Sequence, residues 1–355
     1  PTTWPRGWST ARATTCFTTT GGLPGARSSD FTSITVPNPE KNSYLVFSDC
    51  IDMLNKKLNF AAIDIGSNAV RFLIKSVAEG EPPSAMTKTV LIRIPLRLGE
   101  DSFRRGVITT FKEKQLMRTV KAFRLLMKVY GVTAYRACAT SAMRDASNGE
   151  RIARKIHNKT GIRLEIIDGQ QEARIVYDSH VADLLDREGT YLYVDVGGGS
   201  TEISLIADGK LVDSHSFDIG TVRQLTGTVR PDDWQALDRE LKVWAGRYGN
   251  LQIIGSGGNI NKLYRMARAS HDNRLEIGRL RALYDELKDK TVEQRMEQYS
   301  LNGDRADVIV PAAEIFLRIA SVTGERPIIV PTIGIIDGIV HSLYVRHLEQ
   351  EAQDL

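Results

Sequence analysis

Residues Tyr191 to Leu211 read YLYVDVGGGSTEISLIADGKL. Tyr191 to Val196 alternates and is β-branched, which predicts a strand. Ile203 to Ile206 predicts a second strand, and Asp208-Gly209 the turn into a third. The glycines between them form a tight bend, where glycine tolerates positive φ and lets backbone N–H groups approach a ligand. Such a bend favours an anion, while Asp195 and Glu202 beside it favour a hard cation. A phosphate with a magnesium ion satisfies both.

The same pattern occurs earlier. Laid over residues 191–205, the stretch FAAIDIGSNAVRFLI (60–74) matches Asp64 to Asp195 and Gly66 to Gly197, with apolar runs on both sides. A repeat of this kind suggests a duplicated domain whose copies each point an aspartate and a glycine bend into a shared cleft. Around these anchors the chain alternates strands and helices. The first half reads as a meander through TKTVLIRIPLRLG, a basic amphipathic helix over 110–130, a strand TAYRACAT, a helix over 148–159 ended by Gly161, a strand RLEIID and a helix from about Gln170 to Leu185. The second half reads as three strands over 190–218, helices near 220–228 and 232–247, a strand LQIIGSG, further helices, a short strand PIIVP and a last helix from Gly334. The expected divisions are 58–171 and 172–333 as two α/β domains, with 334–350 a final helix packing back on the first.

The 355 residues are enough for two domains, and 42% hydrophobic with 25% charged residues is ordinary for a globular protein. A net charge of +4 gives no argument for DNA. Cys16, Cys50 and Cys138 are too scattered for a metal site or a disulfide framework, so a reducing cytoplasm is expected. No apolar run approaches a membrane span. Residues 1–52 are rich in Thr, Ser, Pro and Gly without periodicity, and Met53 resembles a natural start. They are expected to be a disordered or non-native extension, the alternative being a regulatory or transit-like tail.

Seven blocks occur in order: FAAIDIGSNAVRFLI, ACATSAMRDASN, IIDGQQEARIVY, YLYVDVGGGSTEISL, FDIGTVRQL, IIGSGGNINKL and RADVIVPAAEIF. Together they resemble the exopolyphosphatase/guanosine pentaphosphate phosphohydrolase (Ppx/GppA) family, over roughly Asn59 to the C-terminus. The resemblance implies two actin-like (ribonuclease H-like) domains with a cleft between them, a bacterial cytoplasmic setting, a homodimer, and Mg2+-dependent hydrolysis of a terminal phosphoanhydride. The implied substrates are polyphosphate or guanosine penta- or tetraphosphate. By the matching motifs, Glu172 would activate water, and Asp195 and Glu202, with Asp64 as a further candidate, would surround the metal. Gly197, Gly198, Gly199 and Ser200 would form the phosphate loop, with Asn68, Arg71, Arg144 and Arg223 as phosphate contacts. Asn259 stands where the family commonly has threonine, and Asp168 where it usually has serine. The chain also resembles the short members that lack a C-terminal helical region.

Each residue also has a structural reading. Asp195 could be a turn residue, Glu172 a helix N-terminal charge, Arg71 a surface charge, and Arg144 a partner for Asp145 or Glu150. His215 reads as structural and Cys138 as core. Phosphotransfer from ATP and a non-catalytic alarmone- or polyphosphate-binding regulator are the rival functions. With little chain left to build a channel, short polyphosphate or guanosine pentaphosphate and distributive cleavage are expected.

Overall fold

The computed structural model describes residues 57–178, 186, 188–267, 272–331 and 334–353. The leading 52 residues, Met53 and the end of the helix expected to reach Leu185 lie outside them. The first half runs β1 (Lys57–Ile65), β2 (Val70–Ala78), β3 (Thr87–Ile94), α1 (Leu98–Arg105), α2 (Thr110–Val129), β4 (Ala134–Ala139), α3 (Ser141–Asp145), α4 (Gly149–Thr160), β5 (Leu164–Ile166) and α5 (Gly169–Val176). The second half begins with β6 (Thr190–Val196), β7 (Thr201–Ala207), β8 (Lys210–Phe217), α6 (Thr221–Leu225), α7 (Pro231–Tyr248), β9 (Leu251–Ser256) and α8 (Gly258–Met266). It continues through β10 (Arg274–Leu275), α9 (Ile277–Lys288), α10 (Val292–Tyr299), α11 (Gly303–Ala306), α12 (Ile309–Thr323), β11 (Ile328–Ile329) and α13 (Ile335–Gln353).

The two sheets share one plan. Strand order is β3-β2-β1-β4-β5 in the first and β8-β7-β6-β9-β11-β10 in the second. In each, an antiparallel three-strand meander is extended by two parallel strands on the far side of its first strand, and the second sheet adds β10, antiparallel to β11, at that edge. This duplicated α/β arrangement is the two-domain actin-like fold.

Strand alternation sorts the side chains into three apolar layers. In β1, Ala61, Ile63 and Ile65 enter the core of the first lobe, while Leu58, Phe60 and Ala62 enter a central layer. In β6, Leu192, Val194 and Val196 enter the core of the second lobe, while Tyr191 and Tyr193 enter the same central layer. Both sheets therefore face one shared core, which Ile335, Ile336, Ile339, Val340 and Tyr344 of α13 fill. Lys75 of β2 pairs with Asp337 of that helix at 2.8 Å, and the Tyr344 hydroxyl donates to the Glu81 carbonyl at 2.5 Å. By the same alternation, Asp64 and Asp195 lie on the shared face, at its polar end.

Two α-helices among the described residues, α1 and the short α3, were not anticipated. Pro95 ends β3, and α1 then follows Arg97, which adopts a left-handed φ of 51°. Its sequence LGEDSFRR carries too few apolar residues for a periodic signal. None of the helices among the described residues is long and apolar enough to cross a membrane.

Two glycines give opposite expectations on substitution. A methyl at Gly220 would stand 2.4 Å from the Gly199 carbonyl carbon and 2.5 Å from the Gly198 carbonyl oxygen. Gly220→Ala should therefore cost about 1–3 kcal/mol through backbone displacement. A methyl at Gly246, within α7, meets nothing within 4 Å. Gly246→Ala should raise stability by about 0.5–1 kcal/mol. Thermal melts of both variants read the two signs directly; an unchanged melt for Gly220→Ala would show that the bend yields freely.

Candidate active site

The bends after β1 and β6 are built alike. The Gly66 amide donates to the Ala69 carbonyl at 3.1 Å, and the Gly197 amide to the Ser200 carbonyl at 3.0 Å. They meet across the lobes: a Cβ on Gly198 would lie 3.0 Å from the Asn68 nitrogen and 3.0 Å from the Ser67 Cβ. A methyl there would be tight enough to require a neighbour to shift by a few tenths of an ångström.

Helix α6 fixes the second bend from behind. The amides of Thr221 and Val222 donate to the carbonyls of Gly197 and Gly198, and Arg223 Nε donates to the Gly199 carbonyl at 2.8 Å. In trans peptides the following N–H points opposite its carbonyl, so the amides of Gly198, Gly199 and Ser200 are turned away from α6. Arg223 is itself fully engaged. It donates to Asp145 at 2.6 Å and to Asp218 at 3.3 Å, and its guanidinium lies 4.1 Å above the Phe103 ring. It does not line the cleft; its hydrogen bonds hold the bend in shape.

The cleft enclosed by the two bends is a cavity of about 80 Å³. By the usual room needed per water, it takes roughly five to eight waters or one small anion. It is lined by Asn68, Arg71, Gly197, Gly198 and Ser200, and by four carboxylates: Asp64, Glu172, Asp195 and Glu202. Strand register explains two pairs of these groups. Asp64 faces Arg71 across β1–β2, and Asp195 faces Glu202 at the matching place in β6–β7. Arg71 Nη1 stands 3.5 Å from Asp64 Oδ2, giving the first pair a cation where the second has two anions. Glu172 enters from α5, which begins with a capping box between Asp168 and Gln171. Aspartate caps as well as serine does, so the departure at 168 leaves this helix start intact. Asn259, the other departure, lines the cleft.

Burial without enough countercharge shifts all four carboxyls upward. Asp64 is raised by desolvation, opposed by Arg71. Asp195 is raised by desolvation, with Arg71 opposing and Asp64 adding to the rise. Glu202 is pushed up to about 7, first by burial, with a Ser200 hydrogen bond opposing and Asp195 adding. Glu172 is raised well above the usual carboxylate range by burial and then by Glu202, with Arg144 opposing. Arg144 donates to the Ile167 carbonyl at 2.9 Å and to Glu172 Oε1 at 3.3 Å, so it clamps Glu172 and does not line the cleft. Gly199 also stays off the cleft wall, against Ser67, Ser141 and Phe103 of the first lobe.

Asn68 points its amide nitrogen at the Asp304 carbonyl, 3.0 Å away, and its buried Oδ1 has no hydrogen-bond partner. That leaves an acceptor at the cleft, suited to water or a cation more than to phosphate. The four carboxylates with this oxygen form an all-oxygen donor set, which suits a hard cation. They do not form a closed cage: among the described residues, the three ligands that converge most tightly are Asp213, His215 and Glu240, elsewhere. A magnesium ion fits the open arrangement because it keeps several waters and uses one or two carboxylates.

Sequence reasoning missed Ser67, Arg93, Ser141 and Arg305, all of which line the cleft. Arg305 lies inside the block RADVIVPAAEIF and could have been found there. Arg93 sits in an alternating edge strand, where a solvated arginine is the ordinary reading. In the fold it pairs with Asp304 of the other lobe.

The Ppx/GppA phosphatase family profile matches residues 73–347. The chain is 28% identical over 279 residues to exopolyphosphatase 1 of Mycobacterium tuberculosis, covering 72% of this chain and 79% of that protein. It is 29% identical over 320 residues to exopolyphosphatase 2 of the same organism, covering 80% and 98%. Among solved structures it resembles the Ppx/GppA family member of Aquifex aeolicus, with TM-score 0.65, 25% identity, and coverage of 82% of this chain and 99% of that one. An exopolyphosphatase from Cytophaga hutchinsonii shares the fold, with TM-score 0.71 at 22% identity and coverage of 81% and 98%. The chain belongs to the Ppx/GppA phosphatase family.

Proposed function

We propose that the protein is a Mg2+-dependent exopolyphosphatase that hydrolyses the terminal phosphoanhydride of linear polyphosphate. The observation that carries this reading is the cleft itself: four buried carboxylates of raised pKa facing a glycine bend, with Arg71, Arg93 and Arg305 at the edge. Phosphoryl transfer needs charge neutralisation and positioning more than covalent help. Mg2+ held by Asp195 and Glu202, with Asp64 facing them, would supply that neutralisation on the phosphoryl oxygens. The bend amides and Arg71 would hold those oxygens by charge-assisted hydrogen bonds. Glu172, oriented by Arg144, would take the proton of the attacking water, and burial raises its basicity above that of an ordinary carboxylate.

A basic pocket of about 370 Å³ adjoins the cleft and shares Arg71, Arg93 and Arg305 with it, adding Lys88, Lys262 and Arg265. Its one acidic lining residue, Asp337, is already paired with Lys75 and Lys88. The Arg305 pKa is lowered, first by burial and then by the neighbouring Arg93 and Arg71. Cations crowded in this way favour a polyanion. This surface offers more room for a longer substrate than the expectation that little chain is left to build a channel allows. No aromatic residue lines either cavity among the described residues, so neither offers a stacking platform for guanine. That favours polyphosphate over guanosine pentaphosphate.

Phosphate release from polyphosphate, guanosine pentaphosphate and ATP plus an alcohol acceptor tests the proposal. Release from polyphosphate that requires Mg2+ and exceeds the other two is expected. Acceptor phosphorylation would establish a transferase, and binding without turnover a regulator.

Glu172→Gln should reduce kcat by about 10²-fold or more with substrate affinity nearly retained. A collapse of affinity with normal single-turnover rates would make Glu172 a binding residue.

The Glu202 carboxyl binds its proton more tightly in the folded protein than at its ordinary value of 4.5. Folding therefore loses stability as pH rises from about 4.5 to about 7, and remains penalised above that. Without divalent cations, Glu202→Gln should be more stable than the parent at pH 8, by up to ~3 kcal/mol, and indistinguishable from it near pH 4. Excess Mg2+ should narrow the gap at pH 8 by stabilising the parent alone. Denaturant melts at the two pH values check this; a variant less stable at pH 8 would show that Glu202 is already neutralised in the fold.

A further inference from the structure

A second cluster of metal-ligating groups lies on the opposite face of β7–β8 from the carboxylate cleft. Asp213 and His215 are two residues apart on the edge strand β8, so they share a face. Phe217 continues that face and enters the core of the second lobe with Leu205 and Trp244. Glu240 and Trp244 are four residues apart on α7, so they also share a face. The His215 ring is held between them: it meets Trp244 edge-on at 5.5 Å between centroids and stacks at 6.1 Å on Phe217.

A bulge immediately precedes the cluster. Leu205 pairs with Asp213 and Ile206 with Leu211, which leaves Val212 as an extra residue and turns Asp213 onto the α7 side. Bulges of this kind re-aim side chains next to functional sites.

The separations have a physical meaning. His215 Nε2 lies 3.3 Å from Asp213 Oδ1 and 4.0 Å from Glu240 Oε1, and the three ligand atoms all lie within 4.8 Å of one another. Ligands bound tetrahedrally at 2.0–2.2 Å stand about 3.4 Å apart. Closing the longer gap needs only a small rotation of the glutamate. Side-chain exposures of 41%, 43% and 27% leave a fourth position open to solvent.

We infer that Asp213, His215 and Glu240 form a binding site for a borderline transition-metal ion, with Zn2+ the best match, separate from the hard-cation cleft. An imidazole with two carboxylates is the wrong donor set for Mg2+, which takes oxygen ligands, and a suitable one for Zn2+, Co2+ or Ni2+. The two sites are thus sorted by ligand chemistry. A bound ion would tie β8, the edge of its sheet, to α7. One residue along, Ser216 donates to Glu202 Oε1 at 2.8 Å, so the tied strand also supports a cleft carboxylate.

The test uses the full chain with excess Mg2+ present, so that the cleft is occupied. Titration with Co2+ should saturably quench the share of tryptophan emission that is lost in Trp244→Phe, one of four tryptophans in the chain, and Zn2+ should compete and raise Tm. Glu240→Gln, which preserves shape and the His215 packing, should weaken metal binding by at least about tenfold, and His215→Asn should do the same. Absence of saturable quenching, or equal quenching in the parent and both variants, would overturn the site. A Tm loss in Glu240→Gln that is the same with and without Zn2+ would identify the cluster as an ion pair alone and equally overturn it.

Discussion

The two glycine bends touch backbone to backbone, and the rest of the structure is arranged around that contact. Gly198 approaches Asn68 and Ser67 so closely that even a methyl would crowd them. Because each bend continues directly from a central strand, the contact fixes where the ends of β1 and β6 meet. Strand alternation then decides what they carry. Residues 58, 60 and 62 and residues 191 and 193 already face the shared core, so the next residues on that face, Asp64 and Asp195, arrive opposite each other. Four carboxylates collect in a volume that burial makes unfavourable for them. The fold holds them there through strand register and the core beneath, an electrostatic strain that a cation entering the cleft would relieve. Such strain at a site is a common mark of function.

Much of this was legible in the sequence for a definable reason. The repeat between 60–74 and 191–205 is written in covalently adjacent residues, so the two lobes, the paired aspartates and the bends could be aligned by eye. Glu172 was accessible only through its family block, because a glutamate in the first turn of a helix is unremarkable on its own. Arg144 and Arg223 show where motif matching and geometry differ. Both sit in the right blocks, but one grips Glu172 and the other grips the bend, so each reaches the cleft through a second residue. Besides Arg71, the arginines that line the cleft are Arg93, from an edge strand, and Arg305, from a segment near 300. Arg305 lies in a recognisable block, but its convergence with Arg93 is a tertiary fact with no local signal. The Asp213–His215–Glu240 cluster was invisible for the same reason, with a bulge and a helix turn needed to bring it together.

The lobes are also linked by polar contacts at the cleft mouth. Arg93 pairs with Asp304, Arg97 with Asp307, and Asn68 donates to the Asp304 carbonyl. The segment 302–307 therefore carries both an arginine of the cleft and the acids that hold the opposite lobe. Ligand binding at Arg93 and Arg305 would be felt at this seam, since Arg93 cannot serve an anion and Asp304 equally.

Helix α13 fills the layer between the sheets, and this has a consequence for how the chain acquires its structure. Phe60 of β1 packs on Tyr344, and Leu73 of β2 lies in the same layer, on strands that the helix covers. Those contacts join segments more than two hundred and fifty residues apart in sequence, and contacts of such long sequence separation slow folding. During synthesis, both sheets emerge from the ribosome before the helix that separates them. Until it arrives, each sheet presents an apolar face, and direct sheet-on-sheet collapse competes with the native arrangement. The cleft carboxylates would then gather only at the final step, so a half-made chain would lack the assembled cleft.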